Sequence, residues 1–416
     1  MFENIVEKER AVLVSVDTGE FDVDISLDEL EELANTAEAQ VIGRMTQKRP
    51  SPDSATYIGS GRLEELKEFC ESNEVDLIIF DAELSPSQQY NVEKATDVRV
   101  IDRTTLILDI FAQRARSGEG KLQVELAQLR YRLPRLRGMG VSMSRLGGGI
   151  GTRGPGETKL ESDKRHIRRR ISALEDDLKK LEERRRLAGE RRKKNRVETV
   201  AIVGYTNAGK STLMNTLTNA GVLAENKLFA TLDVTARALT LPDGREVMLI
   251  DTVGLVRRLP HHLVEAFKST LEQAAQADVI LNVCDASSNE AQEHLEVTRK
   301  ILEQLGCMDR PIISVMNKCD LVEDSGGLAI IGTGVEISAL NGTGIEKLLD
   351  VISKSLVPTR SRVKLLLPFK ESGTAARLHT DGVVHSEEYR PEGIFLDVTA
   401  PIELLKKLSD YIYSEE

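Results

Sequence analysis

Gly204-Tyr205-Thr206-Asn207-Ala208-Gly209-Lys210-Ser211 decides the fold, because of what lies on either side of it. Ahead of it runs Val200-Ala201-Ile202-Val203, an apolar strand pattern, and behind it Leu213, Met214 and Leu217 recur at helical spacing. A glycine-bounded loop between strand and helix turns consecutive N–H groups inward on an anion, and the helix N-terminus adds positive dipole. Lys210 is then placed to reach β- and γ-phosphates, Ser211 to hold Mg2+, and Thr212 to complete the loop's contacts. A glycine turn that binds nothing has no need of the Lys-Ser ending.

Three further motifs follow in order, each at the end of a strand pattern. After Val247-Met248-Leu249-Ile250 comes Asp251-Thr252-Val253-Gly254, a carboxylate able to serve Mg2+ through water, then a glycine whose N–H can meet a γ-phosphate. It resembles the switch II motif of GTPases. After Ile312-Ile313-Ser314-Val315-Met316 comes Asn317-Lys318-Cys319-Asp320, which resembles their guanine-reading motif. A carboxylate at Asp320 accepts from guanine N1–H and the N2 amine, groups that adenine does not present. The stem of Lys318 covers the base plane and Asn317 braces the loop. Ser338-Ala339-Leu340, after Val335-Glu336-Ile337, matches the fifth motif of that family, whose backbone N–H meets the guanine carbonyl.

Switch I is expected in Phe229-Ala230-Thr231-Leu232-Asp233, ahead of a hairpin formed by Ala236 to Leu241 and Glu246 to Ile250 around Asp243-Gly244. Thr231 is preferred over Thr235 as the hydroxyl that completes the Mg2+ shell, because Phe-Ala-Thr-Leu-Asp resembles the switch of one GTPase branch. Lys210, Thr231 and Gly254 are thus the expected catalytic residues, with Ser211 and Thr231 on the metal.

The chain has 416 residues, 40% hydrophobic, enough for several domains with real cores. No apolar run approaches the roughly 18 residues of a membrane span, and Met1-Phe2-Glu3-Asn4 does not start a signal pattern, so a cytoplasmic protein is expected. Cys70, Cys284, Cys307 and Cys319 form no CxxC pair and are expected to be reduced thiols. The histidines include no HExxH, so no dedicated metal site beyond Mg2+ is expected.

The net charge of −11 conceals an asymmetry. Residues 103–196 hold 26 Lys and Arg against 12 Asp and Glu, an excess of 14 positive charges that leaves −25 for the remainder. That segment suits a polyanion. Arg114, Arg116, Lys121, Arg130, Arg132, Arg135 and Arg137 surround a helical pattern, and Arg145 and Arg153 lie in a stretch in which seven of the 14 residues 145–158 are Gly or Pro. That stretch reads as a long loop, either an RNA or phosphate contact or a flexible linker. Leu160 and Ile167 stand seven apart, and Ile171, Leu174, Leu178 and Leu181 then follow in alternating steps of four and three, an apolar seam that predicts a helical hairpin with an end or bend near Leu187-Ala188-Gly189. Its basic blocks, 168–170, 184–186 and 191–194, read as RNA contacts, with a solvated face as the alternative.

Before this segment, strands at Ala11 to Val16, Val41 to Met45, Val75 to Phe80 and Val98 to Ile101 alternate with helices, one opened by Ser26-Leu27-Asp28-Glu29 as a capping box. Tyr57-Ile58-Gly59-Ser60-Gly61 lacks the spacing of a second nucleotide loop and is read as structural. Beyond Pro358, strands at Val363 to Leu367, Val383 to Tyr389 and Ile394 to Val398, with helices around Thr374 to Leu378 and Ile402 to Tyr413, predict a small α/β cap.

Arg145-Leu-Gly-Gly-Gly-Ile-Gly-Thr-Arg-Gly-Pro-Gly-Glu-Thr-Lys-Leu-Glu161, the preceding Tyr131-Arg-Leu-Pro-Arg-Leu136, Tyr57-Ile-Gly-Ser-Gly-Arg62 and the order of the nucleotide motifs together resemble the HflX family of ribosome-associated GTPases, in the Obg/HflX-like branch of the TRAFAC GTPases. The resemblance covers the whole chain and implies a multidomain α/β protein. Its expected parts are an N-terminal α/β domain (1–137), a Gly-rich loop (138–158), a basic helical-hairpin linker (159–196), a P-loop Ras-like GTPase domain (197–357) and a small C-terminal α/β domain (358–416). It implies GTP and Mg2+ as cofactors, binding to the large ribosomal subunit and its rRNA, and splitting of stalled or idle ribosomes under stress. A monomer is expected. Some family members hydrolyse ATP through the N-terminal region, for which this sequence shows no second phosphate loop. Leu255 stands where Ras-like proteins carry a water-orienting glutamine, so slow intrinsic hydrolysis is expected. Either the ribosome supplies the missing group, or a potassium ion does so beside Asn207, which matches the loop asparagine of potassium-activated GTPases. Two other readings stand beside a ribosome-controlling GTPase: an assembly or anti-association factor in which hydrolysis is incidental, and an RNA-remodelling ATPase, which Asp320 opposes.

Overall fold

A computed structural model of the chain describes residues 8–144, 155–194, 197–218, 228–229, 235–258, 276–322, 333–356, 360–401, 404–405 and 407–413. The chain divides into two compact units. Of the described residues, the first takes in those up to 189 together with 228–229 and 253–258, and the second takes in the rest.

The first unit is built on a wholly parallel sheet of four strands, β1 (Arg10–Asp17), β2 (Gln40–Lys48), β3 (Leu77–Phe80) and β4 (Arg99–Asp102), in the order β2-β1-β3-β4. Parallel strands need helical crossovers, supplied by α1 (Val23–Thr36), α2 (Ser60–Ser72), α3 (Pro86–Thr96) and α4 (Arg103–Arg114). Val12, Val14, Ile78 and Phe80 pack with Leu66 and Cys70 of α2 and Val92 of α3. The expected capping box at Ser26 is corrected. Asp22 caps α1, accepting from the N–H groups of Asp24 at 3.0 Å and Ile25 at 3.2 Å. Ser26 falls inside the first turn, where its hydroxyl donates to the buried Asp81 carboxylate at 2.7 Å. A carboxylate was available one turn earlier, and Ser26 had a tertiary partner that local spacing cannot reveal.

α5 (Gly118–Ser144) and α6 (Pro155–Lys194) correct both the expected loop and the expected hairpin. Residues 138–144 and 155–158 are helical, so the Gly-rich connection is shorter than expected, and Pro155 begins α6, where its missing N–H costs nothing. Residues 159–194 form one unbroken helix, and Leu187-Ala188-Gly189 does not bend it into two arms. Its partner is α5, as ion pairs Arg130–Glu175 (2.7 Å), Arg170–Glu125 (2.6 Å) and Arg185–Glu119 (2.9 Å) record. Leu174 is buried, with Ile167, Ile171, Leu178 and Leu181 half-buried, so the apolar seam is present.

The second unit holds a six-stranded sheet of β5 (Glu198–Gly204), β6 (Thr235–Thr240), β7 (Glu246–Asp251), β8 (Val279–Asp285), β9 (Ile312–Asn317) and β10 (Thr333–Glu336). The order is β10-β9-β8-β5-β7-β6, antiparallel only at the β6–β7 hairpin. α7 (Lys210–Thr218), α8 (Ala291–Gln304) and α9 (Ile345–Ser355) complete this fold. The register pairs Ile202 with Asp251, Gly204 with Val283 and Asp285 with Asn317, gathering the carboxyl ends of β5, β7, β8 and β9 at one edge. The expected C-terminal strands form an antiparallel sheet, β11 (Arg360–Leu367), β12 (Val383–Arg390) and β13 (Gly393–Pro401), in the order β11-β13-β12, with α10 (Ser372–Asp381). Of the helix expected over 402–413, Leu404 and Leu405 are helical, while 402, 403 and 406 lie outside the described residues; it does not run on to Tyr413, because Ser409–Tyr411 is a 3-10 turn, after which Ile412 bridges Leu365.

Candidate nucleotide site

The loop after β5 needs its glycines for space as well as for backbone freedom. Gly204 has φ 151°, and a Cβ there would stand 2.1 Å from the Val283 carbonyl oxygen. Gly209 has φ 88°, and its Cβ would stand 2.2 Å from Asn317 Nδ2. Asn207, exposed between them, takes a left-handed φ of 60°, which asparagine tolerates better than most residues. Thr206 Oγ1 is buried in the loop without a hydrogen-bond partner among the described residues, the kind of orphaned donor that a bound anion satisfies.

Lys210 is buried, and its ammonium group donates to the Gly204 carbonyl at 3.1 Å and the Tyr205 carbonyl at 2.7 Å. Burial pushes its pKa down to about 8, against the pull of the nearby Asp251 charge. Ser211 Oγ donates to Asp251 Oδ2 at 3.3 Å, bringing the two oxygens expected around Mg2+ side by side. Ser211 would meet the ion directly and Asp251 through water. Both are hard oxygen donors, so the pair fits the ion.

Asn317 ties two motifs together: its Nδ2 donates to the Ala208 carbonyl at 2.8 Å, and its Oδ1 accepts from the Ala339 N–H at 2.9 Å. The bracing expected of Asn317 thus spans the phosphate loop and the fifth motif. The Ser338 N–H donates to the Thr343 carbonyl, leaving Leu340, 81% exposed, as the outermost position of that motif. Lys318 has a left-handed φ of 63°, and its ammonium pairs with Asp285 at 2.5 Å. Cys319 N–H bonds the Ile337 carbonyl, and Asp320 stands exposed on the following 3-10 turn.

Several expected contacts have other employment. The Tyr205 ring stacks on His294 of α8 with centroids 3.8 Å apart. Thr252 is fully buried and donates to the Ile202 carbonyl at 2.7 Å, locking the start of switch II to β5. Phe229 is buried edge-on against Phe111 of α4 in the first unit, ring centroids 4.6 Å apart. Val253, Gly254 and Leu255 are buried. Ala230, Thr231, Leu232 and Asp233 lie outside the described residues, as do Arg145 and Arg153. Sequence reading missed Asp285 and His294; an acidic residue ending the strand Val279–Asp285 was the available signal for the first, and nothing local marked the second.

Of the arginines expected to face a polyanion, Arg130, Arg135, Arg170 and Arg185 are engaged in ion pairs, Arg135 also lying 3.3 Å over the Tyr131 ring. Arg114 is half-buried and Arg116 exposed. Arg132, Arg165, Arg168, Arg169 and Arg184 are exposed. Among the described residues no helix is long and apolar enough to cross a membrane.

Three family models match the chain: GTP-binding GTPase N-terminal over residues 24–112, GTP-binding GTPase middle region over 114–192, and 50S ribosome-binding GTPase over 199–318. The GTPase HflX of Caldanaerobacter subterraneus subsp. tengcongensis is 52% identical over 98% of this chain and 95% of its own length. The chain belongs to the HflX family of GTPases. The GTPase HflX of Lacrimispora saccharolytica is 47% identical, over 97% of this chain and 96% of its own length. Among solved structures, a GTP-binding protein from Sulfolobus solfataricus in complex with GDP is 28% identical, covering 83% of this chain and 98% of that one with a TM-score of 0.44. Membership in the HflX family makes this chain a guanine-nucleotide-binding GTPase with a P-loop domain.

Proposed function

We propose that this GTPase binds the large ribosomal subunit under nucleotide control and, in the cytoplasm, splits or rescues stalled or idle ribosomes. The observation that carries the reading is the presence in one chain of a nucleotide site and of a long helix pair, α5 and α6, on which Arg132, Arg165, Arg168, Arg169 and Arg184 are exposed. In this reading residues 1–137 are an N-terminal α/β domain, α5 and α6 a basic arm, 197–357 the GTPase domain and 358–416 a C-terminal domain, in a monomer.

The loop 204–212 cradles the phosphates. Lys210 exchanges two carbonyl partners for phosphate oxygens, whose negative charge favours its charged form. Ser211 and Thr231 would hold Mg2+, with Asp251 beside them, and the bound ion would supply positive charge toward the β- and γ-phosphates. Gly254 meets the γ-phosphate. Asp320 reads guanine, Lys318 covers the base while anchored to Asp285, and the Ser338–Leu340 turn closes the site. Leu255 is buried and carries no group to orient water, so the ribosome completes the catalytic arrangement.

Sedimentation with large subunits in GTP, a non-hydrolysable analogue, GDP or no nucleotide tests this reading. Binding is expected to be strongest with the analogue, to stimulate turnover, and to weaken steeply with salt as phosphate-contacting arginines release counterions. Nucleotide-independent sedimentation with unstimulated hydrolysis would favour an assembly or anti-association factor.

A further inference from the structure

The first unit carries a buried ionic cluster that the nucleotide chemistry does not use. Its sheet reverses strand order between β1 and β3, and in open parallel sheets the crevice beyond the strand ends at such a reversal is where ligands bind. Asp81, the residue after β3, stands there with its side chain fully buried. Ser26 Oγ donates to its Oδ2 at 2.7 Å and Arg103 Nη1 to its Oδ1 at 2.9 Å, while Arg103 also pairs with Glu29. Ser15 Oγ also donates to Asp81 Oδ2, at 3.5 Å, and a further partner comes from 177 residues away. Arg258 Nη2 donates to Asp81 Oδ2 at 2.7 Å and to Ser26 Oγ, its Nη1 reaches the Asp81 carbonyl at 3.4 Å, and its guanidinium lies 4.1 Å from the Phe21 ring centroid. The Arg257 carbonyl accepts from Arg103 Nη2 at 3.4 Å.

Arg258 holds a left-handed φ of 47°, which is unfavourable for a residue with a Cβ and persists where tertiary contacts over-determine it. It follows Gly254 by four residues. Four residues span at most about 14 Å, so an anchor at 258 restrains where the Gly254 N–H can go.

We propose that Asp81, Ser26 and Arg103 form a receptor for the Arg258 guanidinium and are positioning residues for switch II, which makes the N-terminal α/β unit a working part of the GTPase machinery. The place where an open sheet takes a ligand from solution is filled by a side chain of the switch itself. A γ-phosphate contact at Gly254 and the anchor at Arg258 bear on the same short segment, so each biases the other, as linkage requires. The inference rests on the reading of Gly254 as a γ-phosphate contact; that reading fails separately, if Gly254→Ala leaves the affinity for a non-hydrolysable GTP analogue unchanged.

In the full chain, Arg258→Ala is expected to lower kcat for GTP about tenfold while GDP affinity stays within about twofold, because a misplaced but intact site loses rate before binding. Asp81→Asn should reproduce the loss, the double variant should be no worse than either, and Arg258→Lys should recover part of it. Amide exchange over residues 23–36 and 77–81 should differ between GDP and a non-hydrolysable GTP analogue, and that difference should vanish in Arg258→Ala. A kcat unchanged or raised in Arg258→Ala, additive losses in the double variant, or a nucleotide-dependent exchange difference that survives would each overturn the proposal.

Discussion

Two sheets in this chain, one wholly and one mainly parallel, use the same topological position for opposite purposes. In the six-stranded sheet, the crevice beside β5 is lined by a glycine loop, a helix N-terminus and a lysine whose only described acceptors are two loop carbonyls, so it is electropositive and ready for an anion. In the four-stranded sheet, the crevice between β1 and β3 holds the Asp81 carboxylate, already saturated by Arg103, Arg258 and Ser26. One edge is a receptor for solute; the other is a receptor for a segment of its own chain. The difference lies in the sign of one buried charge and in whether its partner is covalently attached.

The comparison breaks most readily at Lys210. Lys210→Ala should lower GTP turnover on the order of a thousandfold, as loss of a preorganised charge aimed at the transition state does, measured in single-turnover hydrolysis. Turnover within tenfold of the parent would show that the electropositive crevice is not the reaction site.

Arg103→Ala attacks the other edge. It leaves Asp81 and Glu29 buried with one cation fewer, and breaking a buried ion pair from one side costs about 3–5 kcal/mol. Denaturant unfolding should show that loss in the first unit, with GDP affinity retained. Stability within 1 kcal/mol of the parent would mean the cluster is solvated.

Asp320→Asn sharpens the nucleotide side alone. An amide presents donors where guanine also presents donors, so GTP affinity should fall about a hundredfold and xanthosine triphosphate should gain, read by competition titration. Unchanged GTP affinity would remove Asp320 from base recognition.

The smallest effect is the pH dependence. The Lys210 pKa of about 8 lies below its ordinary 10.5, so in the nucleotide-free protein this group adds stability as pH rises from 8 toward 10.5. Bound phosphates favour the cation, so binding should take up a proton and weaken above pH 8, by up to about tenfold per unit. Calorimetry at pH 7.5 and 8.5 in buffers of different ionisation enthalpy reads that uptake. Absence of proton uptake at pH 8.5 would show that Lys210 remains charged without nucleotide.

The nucleotide site was legible because its residues act through the backbone next to them. Gly204, Gly209, Lys210 and Ser211 sit within one turn, and Asp251, Asn317 and Ser338 each end or follow a strand pattern, so parallel register brings them together. The Asp243-Gly244 turn was equally local, with Gly244 at φ 76°. Charge density was less informative: 103–196 reads as uniformly basic, yet Arg103 is held in a buried ion pair and Arg130, Arg135, Arg170 and Arg185 pair with carboxylates of the same chain. Composition counts charges without their partners.

By itself, then, the sequence determined the order of strands and helices in the phosphate-binding fold, the chemistry of each loop at its edge and the apolar seam of the basic arm, all set by periodicities of two to seven residues and by local backbone requirements. Only the tertiary structure decided that α6 is one helix paired with α5, that Ser26 serves Asp81 rather than a helix cap, that Phe229 lies against Phe111, and that Arg258 closes the Asp81 cluster. Those pairings join residues 45 to 177 positions apart. A buried charge or ring takes whichever partner packing brings to it, and no spacing rule in the chain encodes that choice.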